Sequence, residues 1–303
     1  MLASDWRGDA RAFAVVDFAS WPRDQPIAPR PPIPVLGCGP RDHPQAAGAD
    51  TLIESPVQLD LLTQKINAAP KAAATLAHLL RATDGVALEQ ALTLESFALA
   101  TLQAGGEHAA WRARRGRVRE SPPGRLDLTR RGDVLDLLMV RPDAHNAIDR
   151  PMRDALFDAF TLAALDPSIA RVRLRGMGRA FCIGADLSEF GATLDPSDAH
   201  AIRMRTLPAR PLLRRALPFE VHVQGACIGA GLELAAFATH LSASADAWFQ
   251  LPEVSMGILP GFGGCVSIPR RIGRHRAALL MLSGKRINAE TALNWGLIDA
   301  LMD

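Results

Sequence analysis

The apolar positions of this chain follow two different periods, and the changes of period divide it. Residues 11–19, RAFAVVDFA, read as one buried strand. A proline-rich connection follows, then a strand-like Val35-Leu36 and a Gly37-Cys38-Gly39-Pro40 turn. From Ser55 to about Arg115 the period becomes helical. Leu59, Leu62, Ile66 and Ala69 recur every three or four positions up to Pro70; Leu76, Leu79 and Leu80 mark a second helix, and residues 88–103 a third. Residues 116–126 are polar and contain prolines, which suits a linker. The period then returns to two in Leu126-Asp127-Leu128 and Val134-Leu135-Asp136-Leu137-Leu138, across an Arg131-Gly132-Asp133 turn. Met152, Leu156 and Phe160 share one helical face, Val172-Arg173-Leu174 is a strand, and such strand–helix steps repeat to the end. The pattern predicts three parts: a strand and proline-rich segment (1–54), a helical region (55–120) and an α/β core (121–303).

One stretch of that core carries the first chemical signal. Val221 and Val223 alternate into Gln224-Gly225, a run of small residues follows to Gly231, and a helical pattern starts at about Leu232. Small residues at a strand-to-helix step let a ligand approach the backbone, where the first helical N–H groups lack internal partners. Such a terminus favours negative charge and can serve as half of an oxyanion hole. Glu233 falls in the first turn of this helix, and Glu253 follows 20 positions later, after Pro252. On the residues alone two accounts stand. Both carboxylates do acid–base work, or Glu233 complements the helix dipole and Glu253 is a surface loop residue.

Composition narrows the classes. Apolar residues make up 48% and charged residues 22%, as in an ordinary globular protein, and the net charge of +2 argues for neither nucleic acid nor membrane as partner. Cys38, Cys182, Cys227 and Cys265 have no metal-ligand spacing, and three of them lie in apolar, small-residue stretches. No metal site is expected. The N-terminal MLASDWRGDARAF lacks the apolar run of a signal peptide, so a reduced, cytoplasmic setting is expected.

A second stretch, GRAFCIGADL (178–187), joins QGACIGAGLEL (224–234) in a wider resemblance. With HNAI (145–148), LPEVSMGILPGFGG (251–264), PRRIG (269–273) and SGKRINAETALNWGLID (283–299), they resemble the enoyl-CoA hydratase/isomerase (crotonase) family, in family order over about 126–303. The resemblance implies a crotonase-like spiral of ββα units, an α/β fold, with an associated helical region. Residues 59–115 are similar to the helical tail that the family carries after its last strand, so the tail is expected to lie at the front of this chain.

For the site, the resemblance implies Glu233 and Glu253 as catalytic pair and the backbone N–H groups of Ala185 and Ala230 as the oxyanion hole. Gly184, Asp186, Leu187, Gly229 and Gly231 would contact substrate. Ala230 stands where many relatives have glycine, Thr239 where they have aspartate, and Ser188 where a lysine is common. Phe190, Trp248, Leu251 and Phe262 are candidate walls of the acyl pocket. An acyl-CoA substrate, no further cofactor, and a homo-oligomer (trimer or hexamer) are implied. Two carboxylates favour hydration of a 2-enoyl-CoA; double-bond isomerisation, or a non-catalytic scaffold or RNA-binding role, are the alternatives. The basic run at Arg203, Arg205, Arg210, Arg214 and Arg215 reads as a solvated helix face or as a contact for coenzyme A phosphates. Glu89, Glu95, Glu107 and His108 are read as packing-helix residues without chemistry.

Overall fold

Alternating apolar positions place one face of each core strand inward, and a computed structural model gives the resulting fold for residues 11–116, 121–193 and 195–302. The N-terminal residues read for a signal peptide, and residues 117–120 of the expected linker, lie outside the described residues. In chain order the strands and helices are β1 (Ala14–Asp17), β2 (Val35–Cys38), β3 (Thr51–Leu52), α1 (Leu59–Ala68), α2 (Pro70–Ala82), α3 (Leu88–Gln103) and α4 (Gly106–Arg114). The core continues with β4 (Arg125–Arg131), β5 (Val134–Val140), α5 (Arg150–Leu165), β6 (Arg171–Gly176), α6 (Pro196–Thr206), α7 (Ala209–Leu212), β7 (Phe219–Val223), β8 (Ala226–Ile228) and α8 (Ala230–Ala235). It closes with β9 (His240–Ala243), β10 (Trp248–Gln250), α9 (Gly264–Ser283), β11 (Ile287–Asn288), α10 (Ala289–Trp295) and β12 (Ala300–Leu301).

A six-stranded sheet runs β12-β9-β7-β6-β5-β4 and is parallel except for the β4–β5 hairpin. A second sheet, β11-β10-β8, carries the segments on either side of the two glutamates. The small-residue run that follows Gln224-Gly225 contains a strand: Ala226–Ile228 pairs in parallel with Trp248–Gln250. Helix α8 begins at Ala230, two positions before the apolar periodicity becomes visible.

The N-terminal segment differs from the expected buried strand. Only Ala14–Asp17 is extended, at the edge of the three-stranded parallel sheet β1-β2-β3, and Val15 is largely exposed. Pro70 does not merely end a helix; it opens α2 at its first position, where its missing N–H costs nothing. Glu107 reaches back to accept from the N–H groups of Lys71 and Ala72, so this carboxylate caps α2.

Helices α1–α3 pack against α9 and α3 also against α6; most of their buried leucines belong to the same hydrophobic cluster as the core strands, while Ala91 and Leu92 pack with Leu207, Ala209 and Val266. Leu62, Ile66, Leu76 and Leu99 sit in one cluster with Met139, Leu174 and Leu279. At about 0.8 kcal/mol per buried methylene, this shared apolar interior is the main force fixing the helical region on the core.

Candidate functional site

The loops around β8 and α8 converge with two others on a cavity of about 240 Å³. The first loop is Gly176–Leu187. Asn146, fully buried at a φ of 57°, donates to the carbonyls of Met177, Ala180 and Phe181 and accepts from the Arg141 N–H. The buried Arg141 guanidinium pairs with Asp186 at 2.7 Å and with Asp149 at 3.5 Å. Asp186, held below the usual carboxylate range by its bonds to Ser188 and Arg141 against the opposing effect of burial, accepts from the Ser188 N–H. These ties fix the strand-like turn through Ala185, which bridges to Ile148.

The second loop is Ile228–Glu233. Gly184 and Ala230 lie face to face: a Cβ on Gly184 would sit 3.6 Å from the Ala230 nitrogen. Among the described residues neither the Ala185 nor the Ala230 N–H has a hydrogen-bond acceptor, and both residues line the cavity. Two unpaired donors from neighbouring loops are the geometry in which an oxyanion can be gripped.

Glu233 is 2% exposed, and its Oε2 accepts from the N–H groups of Phe262 at 2.6 Å and Gly264 at 2.8 Å. Burial pushes its pKa up to about 7, opposed by those two amides and that of Gly261. Glu253, 8% exposed, has one oxygen against Gly229 and no partner for the other, Oε2, among the described residues. Burial and the nearby Glu233 charge raise its pKa well above the ordinary carboxylate range. The surface-loop account of Glu253 is thereby overturned. Its segment, Glu253–Met256, packs against α1, α4 and α9, and the chain turns at Gly257. Two buried carboxyls in unequal surroundings can hold different protonation states, which acid–base catalysis requires.

Gly229 makes this approach possible. Its φ is 50°, and a Cβ there would stand 2.6 Å from Glu253 Oε1. Gly229→Ala should displace that carboxyl and lower kcat/KM by about 10²-fold, and it should also lower stability by about 1–3 kcal/mol, because a side chain is strained at this positive φ; steady-state kinetics and calorimetry measure the two effects.

Of the remaining expected contacts, Gly184, Asp186, Leu187 and Gly229 line the cavity. Gly231 does not; it lies behind the wall, where a Cβ would meet Cys182 at 2.6 Å. Phe190 and Phe262 line the cavity, whereas Trp248 stacks under Arg286 and Leu251 is packed in the core. Three of the five arginines in the basic run are tied into the fold, so it is not a solvated face throughout; Arg205 and Arg214 are exposed. Arg203 bonds Ser96 and Gln103, Arg210 pairs with Glu89, and Arg215 caps carbonyls after α5.

Glu95 was missed by the sequence reading. It is 1% exposed, and its two oxygens accept from the Gly263 and Cys265 N–H groups at 2.8 Å each. Glu233 and Glu95 thus divide four successive amides at the start of α9, one taking 262 and 264, the other 263 and 265. These are the N–H groups that a helix leaves without internal partners. Burial and the Glu233 charge raise the Glu95 pKa despite its two amide donors. The available signal was a carboxylate on the apolar face of α3, between Leu92 and Leu99.

The helical region closes the other side. Leu99 and Gln103 of α3 line the cavity, His108 bonds the Met256 carbonyl at 3.0 Å, and Arg115 donates to the carbonyls of Leu187 and Phe190.

Residues 129–303 match the family model described as enoyl-CoA hydratase/isomerase, more than half of the chain, and the protein belongs to that family. It is 32% identical over 177 residues to the mevalonyl-coenzyme A hydratase of Beauveria bassiana, covering 56% of this chain and 63% of the relative. To the 2,3-dehydroadipyl-CoA hydratase of Escherichia coli it is 35% identical over 175 residues, covering 57% and 67%. The chain thus spans about two thirds of the length of the curated relatives it matches. Among solved structures, an enoyl-CoA hydratase from Thermoplasma volcanium superposes with a TM-score of 0.54 at 35% identity, covering 59% of this chain and 71% of that one. The matched segment begins after the helical region, so Glu95 lies outside it.

Proposed function

We propose that this protein adds water to a 2-enoyl-CoA, giving the 3-hydroxyacyl-CoA. The observation that carries the reading is the pair of buried carboxyls, Glu233 and Glu253, on one cavity with two unpaired backbone N–H groups. In this account the N–H groups of Ala185 and Ala230 hold the thioester oxygen as it gains charge. Glu233, ionised, takes a proton from water as the oxygen bonds to C3. Electrons move through the double bond into the enolate, and Glu253, protonated, delivers a proton to C2. Glu233 ends protonated and Glu253 ionised, and proton exchange through the next water restores both.

Helices α1–α4 stand in this reading for the helical tail of the family, placed ahead of the core; the packing of α1–α3 against α9 supports it. Among the described residues no helix is long and apolar enough to cross a membrane.

The test is loss of the conjugated-thioester absorbance on mixing with crotonyl-CoA and longer enoyl-CoAs. Turnover of a 3-enoyl-CoA that needs only Glu253 would replace hydration by isomerisation. Failure on every enoyl-CoA would remove the reading.

The pH profile is an independent check. Because the Glu233 pKa is raised to about 7, the base is lost on acidification from there. Below that pH, kcat/KM should fall about tenfold per unit. At higher pH the rate should fall again as Glu253 loses the proton it must donate, producing a bell. A profile flat from pH 5 to 9 would contradict both assignments.

A further inference from the structure

Three arginines line the cavity: Arg150, Arg153 and Arg203. The first two have carboxylate neighbours, Glu189 at 3.9 Å and Asp154 at 2.7 Å. Arg203 has none among the described residues. Its Nε donates to the Ser96 hydroxyl at 3.0 Å, and its two terminal nitrogens to the Gln103 side-chain oxygen at 2.8 Å and the Ser96 carbonyl at 3.0 Å. All three acceptors are neutral. A guanidinium has five N–H groups in a planar fork, so two remain uncommitted.

The nearest acidic influence is Glu95, whose oxygens are already engaged by the amides of Gly263 and Cys265. Arg203 is half-buried, and burial draws its pKa down to about 10, which leaves it charged at neutral pH. The cavity wall around it, from α3, α6 and the turn after α6, is apolar: Leu99, Ala199, Ile202 and Leu207. A desolvated cation in an apolar wall gains most from an anion that can accept the free side of its fork.

We propose that Arg203 forms a subsite for a carboxylate at the distal end of the acyl chain, so that the preferred substrates are thioesters of dicarboxylic acids. Ser96 and Gln103 hold three of the five guanidinium N–H groups, and the apolar wall carries the methylenes between the two ends of the acyl group. The chemistry at the near end rests on the hydratase reading; the subsite does not, because saturated thioesters can be used to probe it.

The experiment is calorimetric binding of adipyl-CoA against hexanoyl-CoA and suberyl-CoA against octanoyl-CoA to the unaltered protein. A charge-assisted pair should favour the dicarboxylic member by about tenfold or more at one chain length. Arg203→Met should abolish the preference and Arg203→Lys should keep part of it, with melting temperatures establishing that both variants are folded. Equal binding of both members at both lengths overturns the proposal without any variant. So does a preference that survives in Arg203→Met. Retained preference with no hydration of any enoyl-CoA would leave the subsite standing and remove the hydratase reading; hydration of enoyl-CoAs without the preference would do the reverse.

Discussion

Glu253→Gln should lower kcat for enoyl-CoA hydration by a factor of about 10²–10⁴, the range for losing a general acid. Glutamine keeps the shape of the side chain and cannot deliver a proton. The carboxyl has no hydrogen-bond partner for Oε2 among the described residues, so the change costs little structure. Glu233→Gln should cause a loss of similar size for the opposite reason. Its oxygen can still accept from the amides of Phe262 and Gly264, but the group can no longer take a proton from water. Stopped-flow absorbance with crotonyl-CoA measures both, and thermal melts within about 0.5 kcal/mol of the unaltered protein separate chemistry from folding. Rates that stay within a few-fold in either variant would remove that residue from the reaction.

Glu95→Leu should be the most destabilising single change in the helical region. Leucine leaves the Gly263 and Cys265 N–H groups buried without acceptors. At about 1–3 kcal/mol for each unsatisfied group, the cost is roughly 2–6 kcal/mol. It would appear as a lower urea midpoint with an unchanged slope. Activity should fall as well, because the amides that hold Glu233 alternate with those released by Glu95. Unchanged stability would mean that the α9 terminus finds other partners. Lost stability with full activity would mean that Glu233 is positioned independently.

The contrast among the three glutamates explains what was legible in the chain. Glu233 and Glu253 sit in short motifs that mark them as candidates locally, although their partners, Phe262 and Gly264 for the first and Gly229 for the second, come from other segments. Glu95 acquires its partners from a helix terminus far along the chain, and nothing in its own surroundings names them. Arg141 is similar: its ties to Asp149 and Asp186 close a loop whose shape follows from packing rather than from propensity. The strand at Ala226–Ile228 was hidden because small residues score as a turn, while its pairing with β10 is a tertiary fact. The basic run after α5 misled for the same reason. Arg203 and Arg210 look like a charged surface until α3 supplies Ser96, Gln103 and Glu89 as partners. The periodicities of β5, α1 and α3 were legible because each buries one continuous face; β4, at the sheet edge, buries only Leu126 and leaves Leu128 exposed.

The bonds from Glu95 to the start of α9 join positions 168 and 170 residues apart, with the earlier partner on the earlier-made segment. On the ribosome, helices α1–α4 therefore emerge before the surface that covers them. At synthesis rates of about 5–20 residues per second, α3 waits on the order of ten seconds or more for α9 to appear. During that interval Leu62, Ile66, Leu76 and Leu99, all buried in the finished protein, face water or a chaperone. Slowing translation beyond Arg115 lengthens that interval and should therefore lower soluble yield rather than raise it.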